Sequence, residues 1–252
     1  MDMRISGSLL LALLSTSLLA EEGELPRPDD LNNVRTTTAW LMPEGEWEIE
    51  VVASYADFGA VEVGEVRGEV ATAFNEWFMV EVEVPFVQVD FPGGTERGLG
   101  DIEIEAKAAL TTWESIDIAA MLELELPTGD EDKGLGSGRH EIEAWGLASR
   151  AFDDIETSGH LGIGTEWEEG EGLEGLLINA AVDNTSLSEE LALQLGINSA
   201  FGDGDSIISL IGGLRTEVEG TDLELEASLG FAIGLTDDAE DWALILAGEL
   251  EF

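Results

Sequence analysis

The sequence predicts an all-β fold: a closed, antiparallel, up-and-down transmembrane β-barrel of about 12 strands. Three observations carry this. Hydrophobicity alternates with a period of two along most of the chain. Short polar turns take turns with longer glycine-rich loops, and the tryptophans gather near strand ends in two groups.

The elements follow in order. Residues 1–20 read as a signal peptide. Arg4 gives a weakly basic start, Ser8 to Ala20 is an apolar core, and Glu21-Glu22 follows at once, so cleavage is expected after Ala20. That apolar run is short for a membrane-spanning helix. Residues 21–45, with Pro26-Arg27-Pro28, read as an N-terminal periplasmic segment or a plug that folds into the barrel. Residues 46–252 read as the barrel itself.

Twelve strands are expected at 46–56, 63–74, 77–89, 100–112, 115–126, 140–152, 156–167, 173–183, 188–199, 205–215, 221–233 and 241–252. In 100–107, Ile102, Ile104 and Ala106 take one face while Asp101, Glu103, Glu105 and Lys107 take the other. Residues 116–126 repeat the pattern, with aliphatic even positions opposite Asp117, Glu123 and Glu125. Segments 140–152, 173–183 and 205–215 alternate poorly. Tight turns are expected at Asn75-Glu76, Glu114-Ser115, Asp153-Asp154, Asn184 to Ser188 and Thr216 to Gly220; long loops are expected at 92–98 and 127–140. Strands of this length, tilted about 40°, stand about 30 Å tall, enough to cross the hydrocarbon layer.

The aromatic residues mark two interfaces. Trp47, Trp77 and Trp113 lie beside short turns, whereas Trp167, Trp242 and Tyr55 lie at the opposite strand ends, as in the girdles of membrane barrels. The final strand carries Trp242, Leu244, Leu246, Gly248, Leu250 and Phe252 on one stripe. A terminal Phe252 on such a stripe resembles the signal read by the outer-membrane assembly machinery.

If the aliphatic stripe touches lipid, the acidic stripe lines the lumen. The inward set is then Glu48, Glu50, Glu69, Glu81, Glu83, Glu103, Glu105, Glu123, Glu125, Glu166, Glu224, Glu226, Glu249 and Glu251, joined by Arg67 and Lys107. Slipping a strand by one residue would turn these carboxylates onto lipid, so the acid pattern determines register. A twelve-strand barrel is on the order of 24 Å across its backbone, which leaves a narrow or mostly filled lumen.

The chain of 252 residues carries 55 Asp and Glu against 10 Lys and Arg, a formal charge of −45. A surface this acidic repels phosphate and excludes a nucleic-acid partner. With no cysteine there is no disulfide framework and no thiolate metal site. Salt adaptation accounts for much of the excess acid, since only Lys107 and Lys133 are lysines, but it does not account for the alternation.

Catalytic and metal chemistry finds little support, and no cofactor is expected. Of the two histidines, His140 stands beside Glu141 and Glu143, a pairing too common on strands to indicate a metal ligand set. His160, inward by phase, has Ser158 two residues away, the only hint of a barrel hydrolase. Asp130, Glu131 and Asp132 lack the spacing of a calcium loop.

Several blocks resemble the "MetA-pathway of phenol degradation" family of outer-membrane transporter barrels: RTTTAWLMPEGEWEIE at 35–50, NEWFMVEVEVPF at 75–86, GLGDIEIEAK at 98–107, LELELPTGDEDKGLGSG at 122–138 and the ending GLTDDAEDWALILAGELEF. The resemblance covers nearly all of the mature chain and implies an outer-membrane location and a channel for small organic compounds such as aromatics. It transfers no catalytic residue.

The residues themselves point to passive diffusion of small solutes through an acidic, cation-favouring lumen, in contact with membrane lipid outside. Cation preference is then expected to fall as the pH drops through roughly 6 to 4 and the carboxylates take up protons. Two other readings compete: a structural or adhesive barrel that does not conduct, and a lipid hydrolase using His160.

Overall fold

The computed structural model describes residues 38–252 apart from 171, 189–190, 203–204, 219–223 and 237–238. The strands are β1 (Trp47–Asp57), β2 (Glu62–Asn75), β3 (Phe78–Phe91), β4 (Gly94–Leu99), β5 (Ile102–Trp113), β6 (Ile116–Leu126) and β7 (Glu141–Phe152). They continue with β8 (Thr157–Glu168), β9 (Gly172–Ser188), β10 (Leu191–Gly202), β11 (Asp205–Val218), β12 (Glu224–Gly234) and β13 (Trp242–Glu251). Neighbours in sequence pair antiparallel, except that β4 and β5 both pair with β3, and β13 pairs with β1, which closes the sheet. At the seam the backbones of Trp47 and Phe252 exchange hydrogen bonds of 2.9 and 3.0 Å. Closure leaves no row of unpaired backbone groups facing lipid.

Among the described residues thirteen strands make twelve staves, because β4 and β5 share one. The upper half of β3, Phe86–Phe91, pairs with β4; its lower half, Phe78–Glu83, pairs with β5. The expected loop at 92–98 is therefore a tight turn at Pro92-Gly93 followed by a strand. A second difference falls at Asn184–Ser188, expected as a turn: β9 continues through Ser188, and a register shift opposite Leu191–Leu193 absorbs the extra length.

The break in the shared stave comes at Gly100-Asp101 and is a built feature. Asp101 turns inward and its carboxylate accepts hydrogen bonds from the backbone N–H groups of Gly129 and Ser137, both 2.6 Å, and from Ser137 Oγ at 3.2 Å. A Cβ on Gly136 would lie 2.5 Å from that carboxylate, so no larger residue fits. The GLGD and LPTGD…LGSG blocks thus form one knot, which drives the Leu135 side chain into the barrel. Asp101→Ala leaves two N–H groups without their acceptor. We expect a loss of about 2 kcal/mol or more, read as a lower unfolding midpoint in urea and earlier proteolysis between residues 127 and 140.

Burial is inverted relative to a water-soluble protein. Val66 on β2 is 52 % exposed while Glu69 on the same strand is 2 % exposed. Val51, Val84, Leu122, Ile163, Leu195, Leu229 and Leu246 are likewise exposed on the outer face. That face must be solvated by lipid, because this much contiguous aliphatic surface does not stay in water.

The connection between β12 and β13 carries a buried acid. Glu240 accepts a hydrogen bond from Ser209 Oγ at 2.9 Å, and its own carbonyl accepts from the Gly234 N–H. Burial pushes its carboxyl above the ordinary range, and the Ser209 bond opposes this only in part. A raised folded-state pKa gives stability that is present below the ordinary carboxylate pKa and is lost as the pH rises through the raised one. Glu240→Gln keeps an acceptor for Ser209 without the charge. Its thermal midpoint is expected to match that of the parent near pH 4 and to exceed it near pH 8.

Candidate functional site in the barrel lumen

Cross-strand register places inward glutamates directly opposite one another on nine neighbouring strands. The row runs Glu226, Glu249, Glu50, Glu69, Glu83, Glu103, Glu125, Glu141, Glu168, from β12 through β13, β1, β2, β3, β5, β6 and β7 to β8. A parallel row runs Glu81, Glu105, Glu123, Glu143, Glu166 on β3 to β8, and beyond Ala71 it continues as Glu48 and Glu251. Glu224 pairs with Glu251 in register; its side chain lies outside the described residues.

These rows are not rings. Strands in such barrels tilt by about 40°, so a row at right angles to them climbs as it circles. Eight steps of about 4.8 Å climb about 25 Å along the axis, close to the hydrocarbon thickness. The strand ends agree. Glu168 closes β8 at the loop end, whereas Glu226 and Glu249 lie near the opposite end, beside the Trp47–Phe252 seam. The acid row is a stair from one mouth to the other.

Apolar residues fill the lumen on either side of the stair. At the loop end, Val52, Val63, Val87, Val89, Ile211, Ala243 and Ile245 pack with Leu135 on the β11–β3 side. At the turn end, residues 38–42 cross the interior. The Ala39 N–H donates to Ser149 Oγ at 2.7 Å, and Trp40 Nε1 donates to Asp117 Oδ2 at 2.9 Å. The Trp40 ring meets His160 edge-on at 4.9 Å, and Leu41 and Met42 pack on Ala71, Ala73 and Met79. Between these fillings lies a cavity of about 290 Å³, lined by Trp40, Met42, Arg67 and a group of stair glutamates.

The fixed cations sit at intervals on the stair. Arg67 Nε lies 2.7 Å from Glu69 and 2.8 Å from Glu83, with Nη1 3.7 Å from Glu65. Lys107 Nζ lies 3.2 Å from Glu105, Arg215 Nε lies 3.5 Å from Glu226, and Arg139 pairs with Glu168. Opposed like charges are unfavourable in a sheet, so these cations relieve the crowding only locally. Carboxylate oxygens of Glu48, Glu50 and Glu249 lie within 4.8 Å of one another, as do those of Glu69, Glu81 and Glu83. A partly dehydrated cation can be shared at that spacing.

The other candidate residues fall as follows. Glu81, Glu83, Glu103, Glu105, Glu123, Glu125, Arg67 and Lys107 all line the interior. Trp47, Trp77 and Trp113 are exposed outward at the turn end; Trp167 and Trp242 are exposed outward at the loop end, where Tyr55 packs on Trp242 at 5.5 Å. Phe252 is exposed at the seam. Residues 1–37, with the expected signal peptide and Pro26-Arg27-Pro28, lie outside the described residues.

His160 points inward, but Ser158 is not its partner. The Nδ1 atom of His160 lies 2.9 Å from Ser149 Oγ on β7, and Nε2 lies 3.1 Å from Asp183 Oδ2 on β9. Strand pairing brings these three together across β7, β8 and β9, which sequence proximity does not reveal. Ser149 is 1 % exposed and accepts the Ala39 N–H, so the trio anchors the start of the described chain across the lumen. His140 pairs with Glu169 at 2.8 Å on the outside, while Glu141 and Glu143 turn into the lumen, so the His140–Glu141 pairing does not form. That bond holds the Glu169 carboxyl below its ordinary range. Asp130 pairs with Lys133 and does not converge with Glu131 and Asp132 on one point.

Two lumen aromatics were not singled out by the sequence. Trp40 lies before the first strand. Trp145 sits in a segment that alternates poorly, and its ring lies over Gly162 and Gly164, where a Cβ on Gly164 would come within 2.5 Å. A pair of glycines two apart opposite an inward tryptophan is the signal that could have found it.

The closed sheet, with its lipid-facing outer surface and charged interior, defines a bacterial outer-membrane β-barrel. Comparison with solved structures agrees on the fold. The crystal structure of the COG4313 outer membrane channel from Pseudomonas putida F1 superposes with a TM-score of 0.64 at 15% sequence identity, covering 87% of this chain and 100% of that one. The KdgM porin gives 0.54 at 10% identity, covering 81% and 98%, and the NanC porin gives 0.52 at 10%, also covering 81% and 98%. No protein-family profile matches the chain, and no curated protein sequence matches it.

Proposed function

We propose that the protein is a narrow outer-membrane channel that passes small solutes by passive diffusion and favours cations. The glutamate stair carries this reading. It provides a continuous polar route between the two apolar fillings, and its surplus negative charge attracts cations and excludes anions. The likeness to channel and porin barrels supports a transport role. The stair glutamates supply the field, and the long loops face outward, with the termini in the periplasm. Phe252 acts as the contact for the outer-membrane assembly machinery.

The resemblance to the phenol-degradation transporter family adds small organic and aromatic compounds as solutes. The apolar layer around Leu135 offers them contact at the loop end. Salt adaptation explains the surplus acid outside the lumen.

Purified protein in planar bilayers is expected to conduct, with a reversal potential under a KCl gradient that reports K⁺ preference over Cl⁻. Anion preference would overturn the reading. A second reading, a barrel that does not conduct, draws on the residues that fill both ends of the lumen. Liposome swelling with sugars and amino acids, which do not cross the bilayer unaided, separates the two, since a sealed barrel admits neither.

A further inference from the structure

Arg67 holds a place on the nine-glutamate row that no other basic residue named above shares. Lys107 pairs with Glu105 of the neighbouring row, while Arg139 and Arg215 sit at the two ends of this one, on Glu168 and Glu226. Arg67 sits in its middle, on Glu69 and Glu83, the fourth and fifth of the nine glutamates from the β12 end. It is only 5 % exposed, and it also lines the central cavity. Its ion-pair partners include Glu65 and Glu69 on its own strand and Glu83 on β3, so it bridges two neighbouring staves of the wall. Arginine remains charged at any working pH, so this positive charge is permanent.

We infer that Arg67 is a selectivity-determining residue, a tethered counter-ion that limits cation flux at the midpoint of the stair. This inference rests on the channel reading. A mobile cation climbing from Glu249 and Glu50 towards Glu103 and Glu125 must pass Glu69 and Glu83, whose charge Arg67 already compensates. There it meets a fixed like charge and carboxylates that are already engaged. Removing the positive charge returns those carboxylates to the mobile ions. Cation preference and low-salt conductance then rise together, whereas a residue that only held the wall in shape would give no coordinated change.

The chain contains no cysteine, so Arg67→Cys creates a single thiol whose charge is set after the barrel has folded. The test uses the full-length protein in planar bilayers at 0.1 M KCl, reading conductance and the K⁺/Cl⁻ permeability ratio before and after methanethiosulfonate labelling. For Arg67→Cys we expect both to rise by about two- to fivefold, the effect of one unit charge a few ångströms from the path. An aminoethyl label restores a cation and is expected to reverse the rise; a sulfonatoethyl label is expected to enlarge it. Arg67→Lys keeps the charge and should stay near the parent. If Arg67→Cys fails to assemble, Arg67→Gln serves, because its amide removes the charge yet still donates hydrogen bonds to the neighbouring carboxylates, and it should raise both readings by about the same two- to fivefold. Selectivity that ignores the charge at position 67, in either variant, overturns the inference. A parent protein that does not conduct overturns the channel reading itself.

Discussion

Deleting residues 21–42 is expected to raise single-channel conductance about threefold or more. Its described part, residues 38–42, crosses the turn end of the lumen, with Trp40 tied to Asp117 and packed on His160, and with Ala39 bonded to Ser149. Among the described residues no strand of the barrel lies within the deleted range, and every interstrand ladder described above survives it. The wall should therefore assemble as before while the cross-section opens. Trp40→Ala should give a smaller rise, because Ala39 and Met42 keep their own contacts. Planar bilayers at 1 M KCl read the change, and liposome swelling should extend to larger sugars. An unchanged conductance would place the constriction at the Leu135 layer.

Neutralising four stair residues, Glu50, Glu103, Glu125 and Glu249 to Gln, is expected to lower the K⁺/Cl⁻ permeability ratio by about fivefold at 0.1 M salt and by less at 1 M. The set leaves Glu69 and Glu83 in place, so Arg67 keeps its partners and no buried cation is stranded. The same variant should be more stable than the parent, because opposed pairs such as Glu103–Glu125 and Glu50–Glu249 no longer repel. A rise in the heat-modifiable gel transition together with lost selectivity is the expected signature. Its selectivity should also vary less between pH 6 and 4 than that of the parent, since fewer carboxylates remain to take up protons. Selectivity equal to the parent's would place the permeation route away from the stair.

Much of the barrel was legible because its signals are local. A period of two decides which side of a strand meets lipid, and a misplaced glutamate is costly wherever it falls, so residues 46–56 or 100–112 state their facing without reference to any other strand. Strand ends were readable from turn residues such as Asn75-Glu76 and Glu114-Ser115, and the outward tryptophans from their position beside them. The poorly alternating segments hid more. In 140–152, Glu141, Trp145 and Ser149 all point inward, but glycine, alanine and leucine between them blur the pattern.

By itself, then, the sequence determined the fold class, the facing of the acid-rich strands and the sign of the lumen's charge. Each of these depends on residues within a few positions of one another. Only the tertiary structure decided that the glutamates form a climbing row, that Asp101 ties a stave break to the loop bearing Leu135, that Ser149 meets His160, and that residues 38–42 lie across the interior. These arrangements follow from the stagger of twelve staves on closure. Stagger belongs to the whole barrel, and no single strand carries it.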